Sequence, residues 1–225
     1  NAPFIMVLDD LHHIRDPLIH RTLERLLLAP PPQIRMIFLT REDPPLPLAR
    51  LRANGRLTEI RAADLRFTNR DAELFLNRTM NLSLSENDIA VLEEKTEGWA
   101  AGLQLAAIAL RGADFSRGEK SPSAFISSLS GSHRYIGTYL TEQVLERLPE
   151  DIRAFLLRTS ILDELTAGAC DAVSCRDDSG ELLERLNAEN LFLVPLDDRG
   201  RCYRYHHLFA DILRDLRNSS MKNQT

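Results

Sequence analysis

The chain has 225 residues, 44% of them hydrophobic and 27% charged, with a formal net charge of -5. That length accommodates two or three small cores, and the mild negative charge gives no electrostatic footprint for nucleic acid. No run approaches the roughly 18 apolar residues of a membrane helix, and the apolar run at 4–8 is too short, with no basic flank, for a signal peptide.

"FIMVLDDLHHI" opens the readable pattern. Phe4–Leu8 is a short uninterrupted apolar run, as expected of a strand covered on both faces of a parallel sheet. Pro17–Leu28 reads as a helix with Ile19, Leu23, Leu26 and Leu27 on one side. The prolines at 30, 31 and 32 end it, since proline neither continues a helix nor leaves its predecessor helical. "IRMIFLT" (34–40) is a second buried strand. "REDPPLPLARLRANGR" is a loop with a helical patch near Leu48–Arg52, and Leu57–Arg61 reads as a third strand. Strand, helix, strand is the βαβ rhythm of an α/β sheet.

Beyond this point the pattern turns helical. Thr68 and Ser85 each precede a helical period and have Asp71 and Asp88 three residues on, a carboxylate form of the capping box. Thr96–Leu110 places Trp99, Leu103, Ala106 and Leu110 on one face, with Gly112 suited to a left-handed end. The polar stretch 112–123 is the best domain boundary. Further helices are expected near 133–148, 150–159, 166–174 and 179–189. "LFLVPLDDRGRCYRY" (191–205) then reads as two strands around a turn, followed by a helix from His206 to Arg217. This is winged-helix order with a helix after the wing.

Chemistry concentrates where the first strand ends. Carboxylates at the C-terminal end of a parallel strand face the crevice in which α/β proteins bind ligands. Asp9 suits a phosphate-bound Mg²⁺, and Asp10 suits the orientation of an attacking water. A rival reading makes Asp9, Asp10, His12 and His13 ligands of a hydrolytic transition-metal centre. It is disfavoured because His20 lies across a proline-started helix and no further Asp/His cluster follows; the histidines then merely solvate a loop. At the end of the second strand, Arg41 is able to reach a terminal phosphate. A salt bridge to Glu42 or Asp43 is the plainer alternative. Cys170, Cys175 and Cys202 have no zinc-like spacing, so reduced thiols in a cytoplasmic protein are expected.

Four stretches then stand in order across most of the chain: "FIMVLDDLHHI", "IFLTREDPPLPLARLRANGRLTEIRAADLRFT", "TEGWAAGLQLAAIALRG" and "YRYHHLFADIL". Together they resemble the MalT-like, LuxR-type transcriptional regulators of the signal-transduction ATPase class with numerous domains. The resemblance implies ATP or ADP with Mg²⁺ as ligands, and Asp9 and Asp10 as the Walker B acidic pair, with Asp9 holding the metal. It implies that Arg41 senses the terminal phosphate. "GLQLA" would pack by adenine, with Gln104 in place of the family's proline. His206, or alternatively His207, would touch the β-phosphate of ADP.

The implied architecture is an α/β fragment with a partial parallel P-loop-type sheet, followed by a mainly α part. The divisions are 1–67 for the C-terminal half of a nucleotide-binding domain, 68–112 for a helical domain and 113–120 for a linker. A winged-helix domain at 121–217 and a frayed tail at 218–225 complete it. Nothing in the chain resembles G-x-x-x-x-G-K-[ST], whose amides and lysine cradle phosphate. Neither nucleotide binding nor ATP hydrolysis is therefore expected of this chain alone. A P-loop half would be the missing partner, self-association would follow activation, and DNA would be reached only through a separate LuxR domain. An acidic helix before the wing, with Glu181, Glu184 and Glu189, argues against DNA binding by the winged helix itself. The alternative is a helical and winged-helix interaction module without nucleotide function.

Overall fold

A computed structural model describes residues 4–113, 121–197 and 199–222. The chain is mostly helical with small sheets, and it falls into two units. One holds the residues up to Arg61 together with Arg185–Leu191; the other holds Ala62–Glu184 and the residues from Phe192 onward.

In the first unit β1 (Phe4–Leu8) lies parallel to β2 (Ile34–Phe38), with Phe4 opposite Ile34 and Leu8 opposite Phe38. The connection is α1 (Pro17–Leu28), started by Pro17 and by the Asp16 carboxylate, which accepts the Leu18 N–H at 2.8 Å. After β2 comes α2 (Leu48–Ala53). Two sequence expectations fail here. Leu57–Arg61 forms no strand; its polar side chains are engaged instead, Glu59 by Arg52 at 2.7 Å and Arg61 by both Asp43 and Glu59. Nor is β1 covered on both faces, for Phe4, Ile5 and Val7 are exposed, as is Ile37 on β2. A parallel pair is present, but two strands among the described residues do not make an extended, covered P-loop-type sheet.

The second unit opens with a 3-10 turn at Ala62–Leu65, followed by α3 (Asn69–Glu73), whose Thr68–Asp71 capping box is complete and which runs on through a π-helical turn at Leu74–Thr79. α4 (Glu86–Thr96) is capped by Ser85, whose hydroxyl accepts the Asp88 N–H at 3.2 Å. The helix expected from Thr96 onward is in fact broken. Glu97 and Gly98 both take positive φ, and α5 (Ala100–Gly112) starts after Trp99. Gly112 ends α5 without a left-handed turn. Of the expected linker at 113–120, residues 114–120 lie outside the described residues.

Next come α6 (Pro122–Ser128), which the sequence reading did not anticipate, α7 (Arg134–Gln143) and α8 (Glu150–Thr159). Thr166 ends β3 (Leu165–Thr166) and caps α9 (Ala167–Ser174), and α10 (Ser179–Ala188) follows. The expected hairpin is present as β4 (Leu193–Pro195) and β5 (Cys202–Tyr205), antiparallel, with β3 on the far side of β5. Asp198, in its turn, lies outside the described residues. α11 (His207–Lys222) starts at once after β5 and continues five residues past the predicted end at Arg217. The core of this unit includes Leu92, Leu103, Ala106, Ile136 and Leu140 together with Phe155, Leu156 and Phe209. No helix among the described residues is long and apolar enough to cross a membrane.

Candidate functional site

In the first unit the predicted groups gather at the C-terminal edge of β1 and β2. Leu39 N–H donates to the Leu8 carbonyl at 2.9 Å and Leu11 N–H to the Leu39 carbonyl at 3.0 Å, so the chain leaving β1 stays tied to the chain leaving β2. The side chain of Leu11 is 0% exposed and anchors a single 3-10 turn, Leu11–His13. Asp10 stands before that turn in the left-handed region (φ 52, ψ 40), which aspartate tolerates better than most residues. Its N–H donates to the Asp9 carboxylate at 2.9 Å. Both carboxylates are exposed. Such a pair at a parallel strand end fits a hydrated Mg²⁺, with Asp9 retaining one oxygen beyond its bond to Asp10.

Arg41 is exposed, three residues beyond β2. Its carbonyl accepts Asn190 Nδ2–H at 2.6 Å within the same unit. The acidic neighbour Asp43 is taken up by Arg61. The spacing of Asp10, His12 and His13 is tighter than the sequence conveyed, since a ligand atom from each lies within 4.8 Å of the others.

In the second unit the remaining predicted residues are dispersed. Gln104 is exposed on α5. His206 is 6% exposed, with Nε2 at 2.9 Å from the Thr96 carbonyl, so Nε2 carries the proton that it donates. Its Nδ1 lies 4.0 Å from a Glu97 carboxylate oxygen and has no hydrogen-bond partner. Burial pushes the His206 pKa down, against the opposing pull of Glu97. His207, by contrast, is exposed, with Nδ1 at 3.5 Å from the same carboxylate.

What organises this region is a residue that sequence reasoning passed over. The Glu97 side chain, 7% exposed, accepts both guanidinium nitrogens of Arg204, at 2.8 and 3.0 Å, and the His207 N–H at 2.9 Å. Burial on its own would raise the Glu97 pKa. The Arg204 bonds, the proximity of His206 and the His207 N–H outweigh it and hold the pKa down at about 2. The only local signal was a glutamate between the end of a helical period and a glycine. Gly98 makes the turn possible, because at φ 68 a Cβ there would lie 2.5 Å from the Phe67 carbonyl oxygen. Next to it, the Trp99 ring stands edge-on to Phe192 at 5.2 Å and to His206 at 6.1 Å.

Comparison with known proteins agrees with this arrangement of elements. Residues 141–224 match the model of the MalT winged helix domain. Over 214 residues, 95% of this chain, it is 33% identical to the HTH-type transcriptional regulator MalT of Yersinia enterocolitica. It is 32% identical to the protein of the same name from Serratia proteamaculans. The chain spans 23% of the length of each of these relatives.

Proposed function

We propose that this chain, which is MalT-like along nearly its whole length, is the central part of a nucleotide-switched transcriptional regulator. The observation that carries the reading is the placement of Asp9, Asp10 and Arg41 along one edge of the parallel β1–β2 pair. Asp9 would hold Mg²⁺ and Asp10 would orient a water, while Arg41 would reach the terminal phosphate and so distinguish ATP from ADP. His206, or the more exposed His207, would meet the β-phosphate of ADP, and Gln104 would stand near the base. The two-stranded pair would extend into a P-loop-type sheet in the longer protein, where a phosphate cradle would complete the site. Mg²⁺ and the nucleotide supply charge neutralisation and the displaceable phosphate. The residues of this chain supply position and state sensing. The longer protein would be a slow, cytoplasmic ATPase switch that self-associates when activated and reaches DNA through a separate LuxR domain.

Isothermal titration of Mg-ATP and of ADP into this chain, beside a version extended upstream, tests the reading. Binding by the extended protein alone is expected. Binding by neither would overturn it. One observation favours the alternative of a pure interaction module: His206 Nε2 and the Glu97 carboxylate are already engaged, by the Thr96 carbonyl and by Arg204, without nucleotide. Direct DNA binding is disfavoured by the Glu181, Glu184 and Glu189 side chains of the α10 region, of which Glu189 pairs with Arg185 at 3.4 Å.

A further inference from the structure

The turn that follows β1 assembles three side chains of which the nucleotide reading uses only one. Asp10, His12 and His13 each present a metal-binding atom, and the three atoms lie within 4.8 Å of one another. Asp10 Oδ1 is 4.0 Å from His12 Nδ1, and the two imidazole centroids are 4.2 Å apart. His12 Nδ1 is shielded from solvent and has no hydrogen-bond partner. A buried ring nitrogen without a partner is costly unless something accepts its lone pair or its proton.

The backbone carrying these groups is already held. His13 N–H donates to the Asp10 carbonyl at 2.9 Å, Ile14 N–H to the Leu11 carbonyl at 3.0 Å, and Leu11 is sealed into the unit's interior. Ligand atoms around a four-coordinate zinc at its usual bond lengths stand roughly 3.4 Å apart. The present spacing, at most 4.8 Å, exceeds that value by no more than about 1.4 Å. Two imidazoles and one carboxylate are a donor set for zinc and its first-row neighbours, whereas Mg²⁺ prefers oxygen alone.

We infer that Asp10, His12 and His13 form a binding site for a divalent transition-metal ion, zinc foremost, with water in the remaining coordination positions. Neither a phosphate nor any residue beyond this turn is required. The site is therefore independent of the nucleotide reading, although both draw on Asp10.

Cobalt(II) is the probe, because its visible absorption reports nitrogen and carboxylate ligation directly. The full 225-residue chain is titrated with Co²⁺ in the absence of nucleotide, and the bound ion is then challenged with Zn²⁺ and with excess Mg²⁺. Asp10→Asn keeps a residue that tolerates the left-handed conformation, and His13→Ala alters an exposed side chain, so both variants retain the fold. Each is expected to weaken Co²⁺ binding at least about tenfold, as is His12→Ala, while His20→Ala leaves it unchanged. Zn²⁺ should displace the cobalt and Mg²⁺ should not. Unchanged affinity in Asp10→Asn and His13→Ala, or displacement by Mg²⁺, would overturn the inference. So would loss of binding only when Cys175 and Cys202 are replaced by serine. Since no nucleotide is present, either reading is able to fail without the other.

Discussion

Arg204 grips Glu97 through two parallel hydrogen bonds of 2.8 and 3.0 Å, joining residues 107 positions apart in the chain. The pair ties the loop after α4 to the last strand of the winged helix, and the His207 N–H completes the coordination of the carboxylate. Bidentate geometry around a covered carboxylate is the arrangement in which an ion pair contributes most, and removing one partner leaves a buried charge unanswered.

Glu97→Gln is accordingly expected to destabilise the second unit by about 2 kcal/mol, toward the lower end for buried pairs because Arg204 keeps some solvent contact. Arg204→Lys, which keeps the charge but loses the fork, should cost less than Arg204→Ala. Urea denaturation midpoints would measure both effects, and midpoints unchanged by Glu97→Gln would contradict the assigned role.

Acid should act through the same residue. The Glu97 pKa is held at about 2 in the fold, against an ordinary value of 4.5. A depressed carboxylate contributes stability that is complete above its unfolded pKa and is lost as pH falls through the folded one. The unfolding free energy should therefore decline between pH 4.5 and 2, and Glu97→Gln should flatten that slope. His206 adds a second window. Its pKa is lowered by burial from 6.5, so folding favours the neutral ring and stability should fall as pH drops below 6.5. His206→Gln should remove that component in a pH series of thermal melts.

Two glycines with nearly equal φ should respond differently to alanine. Gly98 (φ 68) faces the Phe67 carbonyl at 2.5 Å from a would-be Cβ, whereas Gly55 (φ 64) faces open space. Gly55→Ala carries only the left-handed penalty, about 1 kcal/mol. Gly98→Ala adds a backbone collision and should cost at least about 2 kcal/mol, with some displacement of Glu97. Equal losses in the two variants would mean that the Phe67 contact yields freely.

Tyr205→Phe probes the winged-helix core. The Tyr205 hydroxyl lies 2.6 Å from Thr159 Oγ1, and both residues are buried. Thr159 keeps a second bond, donating to the Phe155 carbonyl at 2.8 Å, so the lost hydroxyl leaves it satisfied. A loss of about 1 kcal/mol is expected. A loss above about 3 kcal/mol would point to a larger network than this pair.

Much of this molecule is written in its local order. The apolar runs of β1 and β2, the proline start of α1, and the Thr68 and Ser85 caps depend on neighbours within a few residues, and each is present where the pattern places it. So is the hairpin of the winged helix, whereas β2 stops at Phe38 rather than Thr40 and leaves Arg41 three residues beyond the strand. The tertiary structure alone decided the rest. A helical period runs unbroken across Thr96–Leu110, yet the chain breaks at Gly98, where Phe67 approaches too closely for any side chain. Leu57–Arg61 reads as a strand but spends its charges on Arg52 and Asp43. Glu97 and Arg204 look ordinary in sequence because their attraction operates between elements about a hundred residues apart, while propensity and periodicity record only what lies within a turn or two.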